Sequence, residues 1–257
     1  GESRRNEPVL LSCKLPRDQN YKNGESQNSE NENVNVKPAI AKRVSLDSII
    51  LYLVNIQCLC ARLAELSHHL EMYRPHVVCI QETWLDKSIK DPIVPGYNVC
   101  SRRDRHAGSN RGGVLTLVRE DFNGLVHIAD SKDEERSWHF LKMGIETILI
   151  ANWYRPGASE FNGFAELYSE LAEYFMQATG VVIMGDLNIH HKRWLKHSRE
   201  DSRIGAEMKT LCDFHGLFQI VREPTRNEYL LDLVCTDIVE ASTTVLPYIA
   251  DHAAVQV

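Results

Sequence analysis

Short apolar runs alternate with amphipathic stretches along most of this chain, and the alternation predicts strands and helices in turn. The apolar run at residues 48–55 has the length of a buried strand. Leucines then recur every three or four residues from 59 to 70, as on one face of an amphipathic helix. Pro75 ends this helix, and the apolar run at 76–82 predicts a second strand. The opening is therefore a β-α-β unit with a buried, parallel strand pair.

The middle of the chain changes to strands that follow one another without room for helices, at residues 112–120, 137–143 and 146–154. Consecutive strands indicate antiparallel pairing. Helical periodicity returns at 159–178 and 201–216, and apolar runs between and after these segments predict the remaining strands. The whole pattern predicts an α/β domain in which two mixed sheets pack together with helices outside.

The first part of the chain differs from the remainder in composition. Its segment DQNYKNGESQNSENENVNV is rich in Asn, Glu and Ser and has almost nothing to bury. Such a segment cannot offset its loss of conformational entropy. We therefore predict a disordered polar leader at 1–44 and one folded domain at 45–257.

The composition is that of an ordinary soluble globular protein, with 43% hydrophobic and 25% charged residues. No apolar run approaches the roughly 18 residues that span a bilayer, so we expect no membrane association. The net charge of −6 disfavours a protein that coats nucleic acid without specificity. It does not exclude a nuclease, because a site for a divalent cation needs carboxylates of its own.

The seven cysteines are odd in number and form no C-x-x-C pair. This usage favours free thiols in a reducing compartment, and we expect a nuclear or cytoplasmic location. The chain begins with Gly and stops within its last predicted strand, so we expect a trimmed or truncated piece of a longer protein.

Polar side chains stand where the predicted strands end. They are Asn55, Glu82, Tyr154, Arg155, Asp186, Asn188, Asp232, Asp251 and His252. In α/β sheets, ligands gather beyond the strand ends. Because turn chemistry does not require so many polar groups, we expect these side chains to share one pocket.

The carboxylates among them suit a hard cation. Glu82 and Asp251 offer oxygen ligands of the kind that Mg²⁺ prefers over zinc. Asp186 and Asn188 are two residues apart, which places them on one face of an extended strand. One of the two could orient a water while the other donates to a phosphate oxygen. The alternative for this pair is an ordinary Asx turn.

The remaining groups complete a hydrolytic set. His252 could pair with a carboxylate such as Asp232, which would fix the orientation of its ring. Tyr154 could donate a hydrogen bond to a nonbridging phosphate oxygen. Taken alone, His252 is better explained as a satisfied core histidine. Taken together, these residues indicate metal-assisted hydrolysis of a phosphate ester.

Six short segments, in this order, resemble the endonuclease/exonuclease/phosphatase superfamily: NIQCL, IQETWL, NWYRP, GDLNIH, LLDLV and ADHAAV. Within it they are most similar to the apurinic-endonuclease-type endonuclease domain of non-LTR retrotransposons, over residues 48–257. The resemblance implies a four-layer α/β sandwich that nicks double-stranded DNA with Mg²⁺, or with Mn²⁺ in its place. It also implies a 3′-hydroxyl product that primes reverse transcription, and a reverse transcriptase domain in the full-length polyprotein.

The resemblance implies a role for each matching residue. Asn55, Glu82 and Asp251 belong to the metal side, with Asp251 an outer ligand or a neighbour of the histidine. Tyr154 and Asn188 contact the scissile phosphate, Asp186 activates or orients the water, and Asp232 orients His252. Thr225, in EPTR, approaches the DNA, and Arg155 is expected to contact it as well.

Two departures from the family pattern affect the expected activity. Ala250 stands where the family usually has Ser before the final Asp-His, which removes one hydroxyl hydrogen bond and should weaken the site without abolishing it. Gln57 stands where repair enzymes tend to carry Asp. This difference, and YRP in place of Y-x-P-N, both favour a function other than repair.

Arginines concentrate in the segment SRRDRHAGSNRGG, which the sequence suggests is a loop. Its four arginines, Arg102, Arg103, Arg105 and Arg111, are candidate contacts to the phosphate backbone of DNA, and Arg102 and Arg103 are the two that we select. A solvated run of charges is an equally good explanation. Two further functions stay open: another phosphoesterase of the superfamily, acting on abasic sites or inositol phosphates, and a non-catalytic remnant that serves as a binding module.

Overall fold

The computed structural model describes residues 49–105, 111–157 and 164–257, and the predicted leader at 1–44 lies outside these ranges. The strands are β1 (Leu51–Asn55), β2 (Val77–Gln81), β3 (Tyr97–Arg103), β4 (Val114–Arg119), β5 (Leu125–Asp130), β6 (Glu135–Met143), β7 (Glu146–Tyr154), β8 (Gly180–Asp186), β9 (Phe218–Gln219), β10 (Asp232–Thr236), β11 (Thr244–Ile249) and β12 (His252–Gln256). The helices are α1 (Leu59–Tyr73), α2 (Phe164–Tyr174) and α3 (Arg203–His215), and a 3₁₀ turn at Phe175–Gln177 follows α2.

The strands form two six-stranded sheets, each with parallel and antiparallel pairs. The first sheet has the order β11-β12-β1-β2-β4-β3, and the second has the order β5-β6-β7-β8-β10-β9. β1 and β2 are parallel, as the β-α-β opening predicts. The first and the last described strands, β1 and β12, are antiparallel neighbours with Leu53 opposite Val255.

The layers follow from the side to which each strand directs its apolar residues. Tyr52 and Val54 of β1 belong to the core that β1 shares with Leu66 and Leu70 of α1. The alternate residues of β1 face the second sheet, whose other side packs against α2 and α3. Burial of each leucine of α1 contributes roughly 2 kcal/mol. The result is the predicted α/β sandwich of two mixed sheets with helices on both outer faces.

α3 begins and ends at the signals that the sequence carries. The Ser202 side chain accepts a hydrogen bond from the Gly205 amide, which caps the first turn. Gly216 ends the helix in the left-handed conformation at φ 67°. A Cβ on Gly205 would lie 2.1 Å from the His190 carbonyl oxygen, so this glycine lets α3 pack against the loop that follows β8. None of the helices in the described ranges is long and apolar enough to cross a membrane.

Three strands lie outside the predicted set: β3, β5 and β11. Each is an edge strand of its sheet. Arg102 and Arg103, which the sequence places in a loop, are the last two residues of β3.

Candidate active site

Three neighbouring strands of the second sheet carry polar side chains in one row. Tyr154 at the end of β7 is paired with Asp186 at the end of β8. Asp232 at the start of β10 is the antiparallel partner of Asp186. All three residues are buried. The ends of these strands therefore present a phenol and two carboxylates side by side.

The first sheet faces this row with Asn55, Glu82 and His252. The Asn55 side-chain amide donates to Glu82 Oε1 at 2.9 Å and to Asp186 Oδ2 at 2.8 Å. Asn55 therefore joins the carboxylates of the two sheets directly. A second amide bridge lies beneath it, where Gln81 Nε2 donates to Asn152 Oδ1 at 2.6 Å.

The Glu82 carboxylate is held in a fixed orientation. Trp84 Nε1 donates to its Oε2 at 3.0 Å, while Asn55 occupies Oε1. Burial and then the nearby Glu82 carboxylate raise the pKa of the Tyr154 phenol. Glu82 itself adopts φ 52°, a left-handed conformation that costs a non-glycine residue about 1 kcal/mol or more. Such backbone strain is common at functional sites.

Gly185, directly before Asp186, is required by the close approach of β7 and β8. A Cβ at this position would lie 1.7 Å from the Trp153 carbonyl oxygen. Beyond Asp186 the chain turns at Asn188, whose φ is 46°. The Asn188 amide nitrogen donates to Asp186 Oδ1 at 3.3 Å, and its side chain donates to the Arg155 carbonyl at 3.0 Å. The segment GDLN is thus both a strand exit and part of the site.

His252 and Asp232 form the predicted pair. His252 Nδ1 lies 2.7 Å from Asp232 Oδ2, and both side chains are fully buried. The other ring nitrogen, Nε2, lies 3.9 Å from Asp186 Oδ2 and 3.9 Å from Asp251 Oδ1. Asp232 therefore orients the imidazole so that Nε2 faces the remaining carboxylates.

The charges of this cluster depend on one another. Burial and then the nearby Asp232 carboxylate raise the pKa of Asp186 to about 7. Burial alone would lower the pKa of His252, but Asp232 and Asp186 outweigh it and raise this pKa to about 9. At neutral pH the imidazole is protonated, and Asp186 is close to its titration midpoint, which suits a general base.

The residues present fit a divalent cation. Ligand atoms of Asp186, Asp232 and His252 lie within 4.8 Å of one another. Within the described ranges, the buried atoms without a hydrogen-bond partner include Asp232 Oδ1, Asp251 Oδ1 and His252 Nε2. Glu82 adjoins this group, because its Oε1 and Asp186 Oδ2 both accept hydrogen bonds from Asn55 Nδ2. A mainly carboxylate set suits Mg²⁺ or Mn²⁺.

The structure brings together most of the residues that the sequence predicts for the site. The cluster contains Asn55, Glu82, Tyr154, Asp186, Asn188, Asp232 and His252. Asp251 stands at its rim, where the exposed fraction of its side chain is 37% and its Oδ2 pairs with Arg226 at 2.6 Å. This position agrees with the outer role that the sequence suggests for Asp251.

Two residues predicted to contact DNA are engaged inside the protein. Arg155 is 2% exposed and donates to the carbonyls of Leu187 at 2.6 Å and Asn188 at 2.5 Å. Thr225 is fully buried, and its hydroxyl accepts hydrogen bonds from the amides of Leu231 and Asp232. Arg155 supports the loop of Asn188 and Thr225 supports the strand of Asp232, while contact of either residue with DNA stays a prediction.

The two arginines of β3 differ from each other. Arg102 makes a forked pair with Asp104 at 2.9 and 2.8 Å, and it reaches Asp91 at 3.0 Å. It also donates to the carbonyls of Asp86 and Ile89. These contacts engage the guanidinium inside the protein, and its contact with a DNA phosphate stays a prediction. Arg103 donates to the Lys132 carbonyl at 3.1 Å and is half-buried.

Arg102→Ala should therefore destabilise the protein. The change leaves several acceptors of one guanidinium unpaired, and we expect the unfolding free energy to fall by about 2 kcal/mol. Denaturant titration measures this difference, with Arg103→Ala as the control that changes it little. The salt dependence of DNA binding should stay unchanged in Arg102→Ala. A flatter dependence at intact stability would restore the predicted phosphate contact.

The pKa shifts of Asp186 and His252 predict that the protein without metal loses stability at alkaline pH. Both folded-state pKa values lie above the usual 3.8 and 6.5, so the folded protein binds protons more tightly than the unfolded chain. Stability should fall between the usual and the folded-state pKa of each group, from 3.8 to about 7 for Asp186 and from 6.5 to about 9 for His252, so that it drops by several kcal/mol between pH 6 and pH 9. Thermal melts in EDTA at pH 6 and pH 9 test this expectation. Equal melting temperatures would contradict it.

Three groups near the site are not evident from the sequence patterns. Trp84 orients Glu82, and Asn152 ties Gln81 to the second sheet. Arg105 lies beside Tyr154, with its guanidinium carbon 5.6 Å from the ring centre. A polar residue inside an apolar strand, as Asn152 is in ILIANW, is a signal that can reveal such a bridge.

Comparison with known proteins gives a consistent result. The family described as the Endonuclease/Exonuclease/phosphatase family matches residues 53–229. Among solved structures, the endonuclease domain of TRAS1, a telomere-specific non-LTR retrotransposon, superposes with a TM-score of 0.64 at 15% identity, over 81% of this chain and 96% of that one. No curated protein matches the chain in sequence.

Two other solved structures of this kind carry different activities in their names. AP endonuclease LMAP from Leishmania major has a TM-score of 0.58 at 16% identity, over 83% of this chain and 90% of that chain. A mannosyl-6-phosphatase from Bacteroides thetaiotaomicron has a TM-score of 0.60 at 12% identity, over 81% of this chain and 98% of that chain. At these identities the likeness shows a shared fold, and the fold hosts both nucleases and phosphatases.

Proposed function

Because the chain belongs to the endonuclease/exonuclease/phosphatase family, we propose that it is a Mg²⁺-dependent DNA endonuclease domain. It nicks one strand of duplex DNA and leaves a 3′-hydroxyl, as in target-primed retrotransposition. Membership of this family shows that the domain has the fold of phosphoesterases and nucleases. The proposed function adds a substrate, duplex DNA, and a product, a nicked strand with a 3′-hydroxyl end.

One observation carries the proposal. Asn55 bonds Glu82 of the metal side and Asp186 of the hydrolytic side at once, at 2.9 and 2.8 Å. The same pocket holds the His252–Asp232 pair. Side chains from both sheets therefore meet in one buried cluster of carboxylates, an amide and an imidazole, which are the groups that the proposed hydrolysis requires.

The proposed chemistry assigns a task to each side of the pocket. Glu82 and Asp251 would hold the metal, which neutralises charge on the phosphate and on the departing 3′-oxygen. Asp186, with its pKa near neutrality, orients the attacking water and accepts its proton. Protonated His252 donates from Nε2 to a nonbridging oxygen, where negative charge grows during attack.

Sequence features favour DNA nicking over the two rival functions. Gln57 and the YRP segment differ from the repair-type pattern, which disfavours an abasic-site enzyme. An intact pocket disfavours a non-catalytic remnant, because relaxed selection would not keep buried, mutually repelling carboxylates such as Asp186 and Asp232 together. A phosphatase acting on inositol phosphates stays the second candidate, since a phosphatase shares the fold.

The same resemblance supports proposals about context. The partner would be double-stranded DNA, and the full-length polyprotein would carry a reverse transcriptase domain. The location would be nuclear or cytoplasmic.

A nicking assay tests the proposed function. Supercoiled plasmid is incubated with the protein in Mg²⁺, Mn²⁺ or EDTA, and nicked ends are extended by a DNA polymerase that requires a 3′-hydroxyl. The expected result is metal-dependent nicking with extendable ends. Turnover of an inositol phosphate without plasmid nicking would support the phosphatase instead. Preference for an abasic duplex over intact DNA would support a repair enzyme.

Glu82→Gln should weaken metal binding. The change removes a negative oxygen ligand but keeps the shape of the side chain, and we expect the affinity for Mn²⁺ to fall about 10- to 100-fold. Titration calorimetry or electron paramagnetic resonance of Mn²⁺ measures this without relying on activity. Glu71→Gln, at an exposed position of α1, is the matched control. Equal Mn²⁺ affinity in the wild type and Glu82→Gln would remove Glu82 from the metal side.

A further inference from the structure

One arginine stands next to the site without belonging to the predicted set. The guanidinium carbon of Arg105 lies 5.6 Å from the centre of the Tyr154 ring, within the range of a cation–π contact. Its Nε pairs with Glu135 Oε1 at 2.5 Å. Its Nη2 is buried and has no hydrogen-bond partner within the described ranges. Arg105 thus places a fixed positive charge beside the Tyr154 ring.

Gly112, Gly113 and the Glu135 carboxylate surround the Arg105 side chain. A Cβ on Gly112 would lie 2.5 Å from the guanidinium carbon of Arg105. The Gly113 amide donates to Glu135 Oε2 at 2.5 Å, opposite the oxygen that holds Arg105. Both glycines have positive φ, at 104° and 87°. The two glycines of the RGG segment therefore provide the positive-φ backbone and the space that the Arg105 guanidinium needs.

We propose that Arg105 is a positioning residue of the phosphodiester site, which holds the Tyr154 ring and supplies a fixed positive charge next to the phosphate. This inference rests on the proposed function. The Glu82 carboxylate lies near enough to Tyr154 to raise the pKa of its phenol, so movement of the ring would disturb both the phenol and a carboxylate of the metal side. The phosphate gains negative charge during attack, and a pre-oriented guanidinium stabilises that charge without reorganisation.

A purely structural arginine would give a different result. Arg119 is the last residue of β4 and resembles Arg105 in its contacts. It pairs with Asp121 at 2.5 Å and donates to the Arg74 carbonyl at 2.6 Å. Arg119→Ala therefore reproduces the loss of a partly buried ion pair far from the site. If Arg105 were only structural, the two variants would lose stability alike and keep the same kcat.

Steady-state nicking kinetics test the inference. We expect Arg105→Ala to lower kcat on the order of 10- to 100-fold with a small change in KM, and Arg119→Ala to leave kcat unchanged. Guanidinium chloride at a few millimolar should restore part of the kcat of Arg105→Ala and none in the control. Gly112→Ala keeps the arginine but displaces its guanidinium, and it should lower kcat in the same direction. Unchanged kcat in Arg105→Ala would overturn the inference.

A binding measurement separates this inference from the proposed function. Inorganic phosphate is titrated in the presence of Mg²⁺ and followed by calorimetry. We expect wild type to bind phosphate and Arg105→Ala to bind it about tenfold more weakly. If wild type fails to nick DNA but shows this Arg105-dependent binding, the proposed function fails and the inference stands. Equal phosphate affinity in the two proteins, or none in wild type, would overturn the inference.

Discussion

Asp186→Asn should abolish metal-dependent nicking while leaving the folded protein more stable. The amide keeps the hydrogen bond from Asn55 but cannot accept a proton from water, so we expect kcat to fall by about three orders of magnitude. Burial and the neighbouring Asp232 raise the pKa of the Asp186 carboxyl, which means that the charged form is disfavoured in the folded state. Removing that charge should raise the melting temperature by about 4 °C in EDTA at pH 8.

The matched control for this variant is Asp213→Asn. Asp213 lies on α3, where its side chain is 64% exposed and pairs with Lys209. The control should change neither nicking nor the melting temperature by a measurable amount, since exposed ion pairs contribute little. Full nicking in Asp186→Asn would exclude Asp186 as the group that activates water. A lower melting temperature would mean that the carboxylate stabilises the folded protein.

His252→Ala should also abolish nicking, but it should destabilise the protein. The imidazole is the buried cation that offsets Asp232 and Asp186, as the rise of its pKa to about 9 shows. Without it, two buried carboxylates face each other unpaired, and we expect the unfolding free energy to fall by about 3 kcal/mol. The fall in kcat should again be about three orders of magnitude. Plasmid nicking and denaturant titration measure the two effects.

A double variant separates the catalytic effect of His252 from its effect on stability. His252→Ala combined with Asp232→Asn removes one of the two buried carboxylates that the first change leaves unpaired, so stability should recover in part while nicking stays absent. His68→Ala, at an exposed position of α1, is the control for loss of a histidine. Nicking that returns along with stability would show that His252 acts only through the fold.

The sequence is sufficient to predict the strands that carry the site. β1, β2, β7, β8 and β10 are central in their sheets and buried on both faces, so each appears as a continuous apolar run. The residue at which each run stops is polar, and in most cases it is a member of the candidate site. Burial of a strand gives the apolar run, and the need for a polar group at its end gives the residue that stops the run. One sequence pattern therefore reveals both the strand and the candidate site residue.

The edge strands β3, β5 and β11 could not be predicted in the same way. Edge strands bury one face at most, and in β5 and β11 nearly all residues are partly or fully exposed. Pairing with a neighbour, not burial, determines that these segments are extended. A pattern of apolar and polar residues records burial, so it contains little information about such strands.

The sequence also could not predict the hydrogen-bond and ion-pair partners of long side chains. Arg102 and Arg103 are adjacent and chemically identical, yet one is bound by Asp91 and Asp104 while the other meets a single carbonyl. The difference depends on where loops distant in the chain come to lie. Composition identified a basic segment correctly, but it could not identify Arg105 as the member that faces the site.

The adjacency of β1 and β12 has a consequence for protein synthesis. Leu53 pairs with Val255, and His252 enters the site from the start of β12. A nascent chain on the ribosome therefore lacks its imidazole until translation has passed almost the whole domain. Products of premature termination before residue 252 would lack His252 and would leave the β12 side of β1 as an unpaired strand edge.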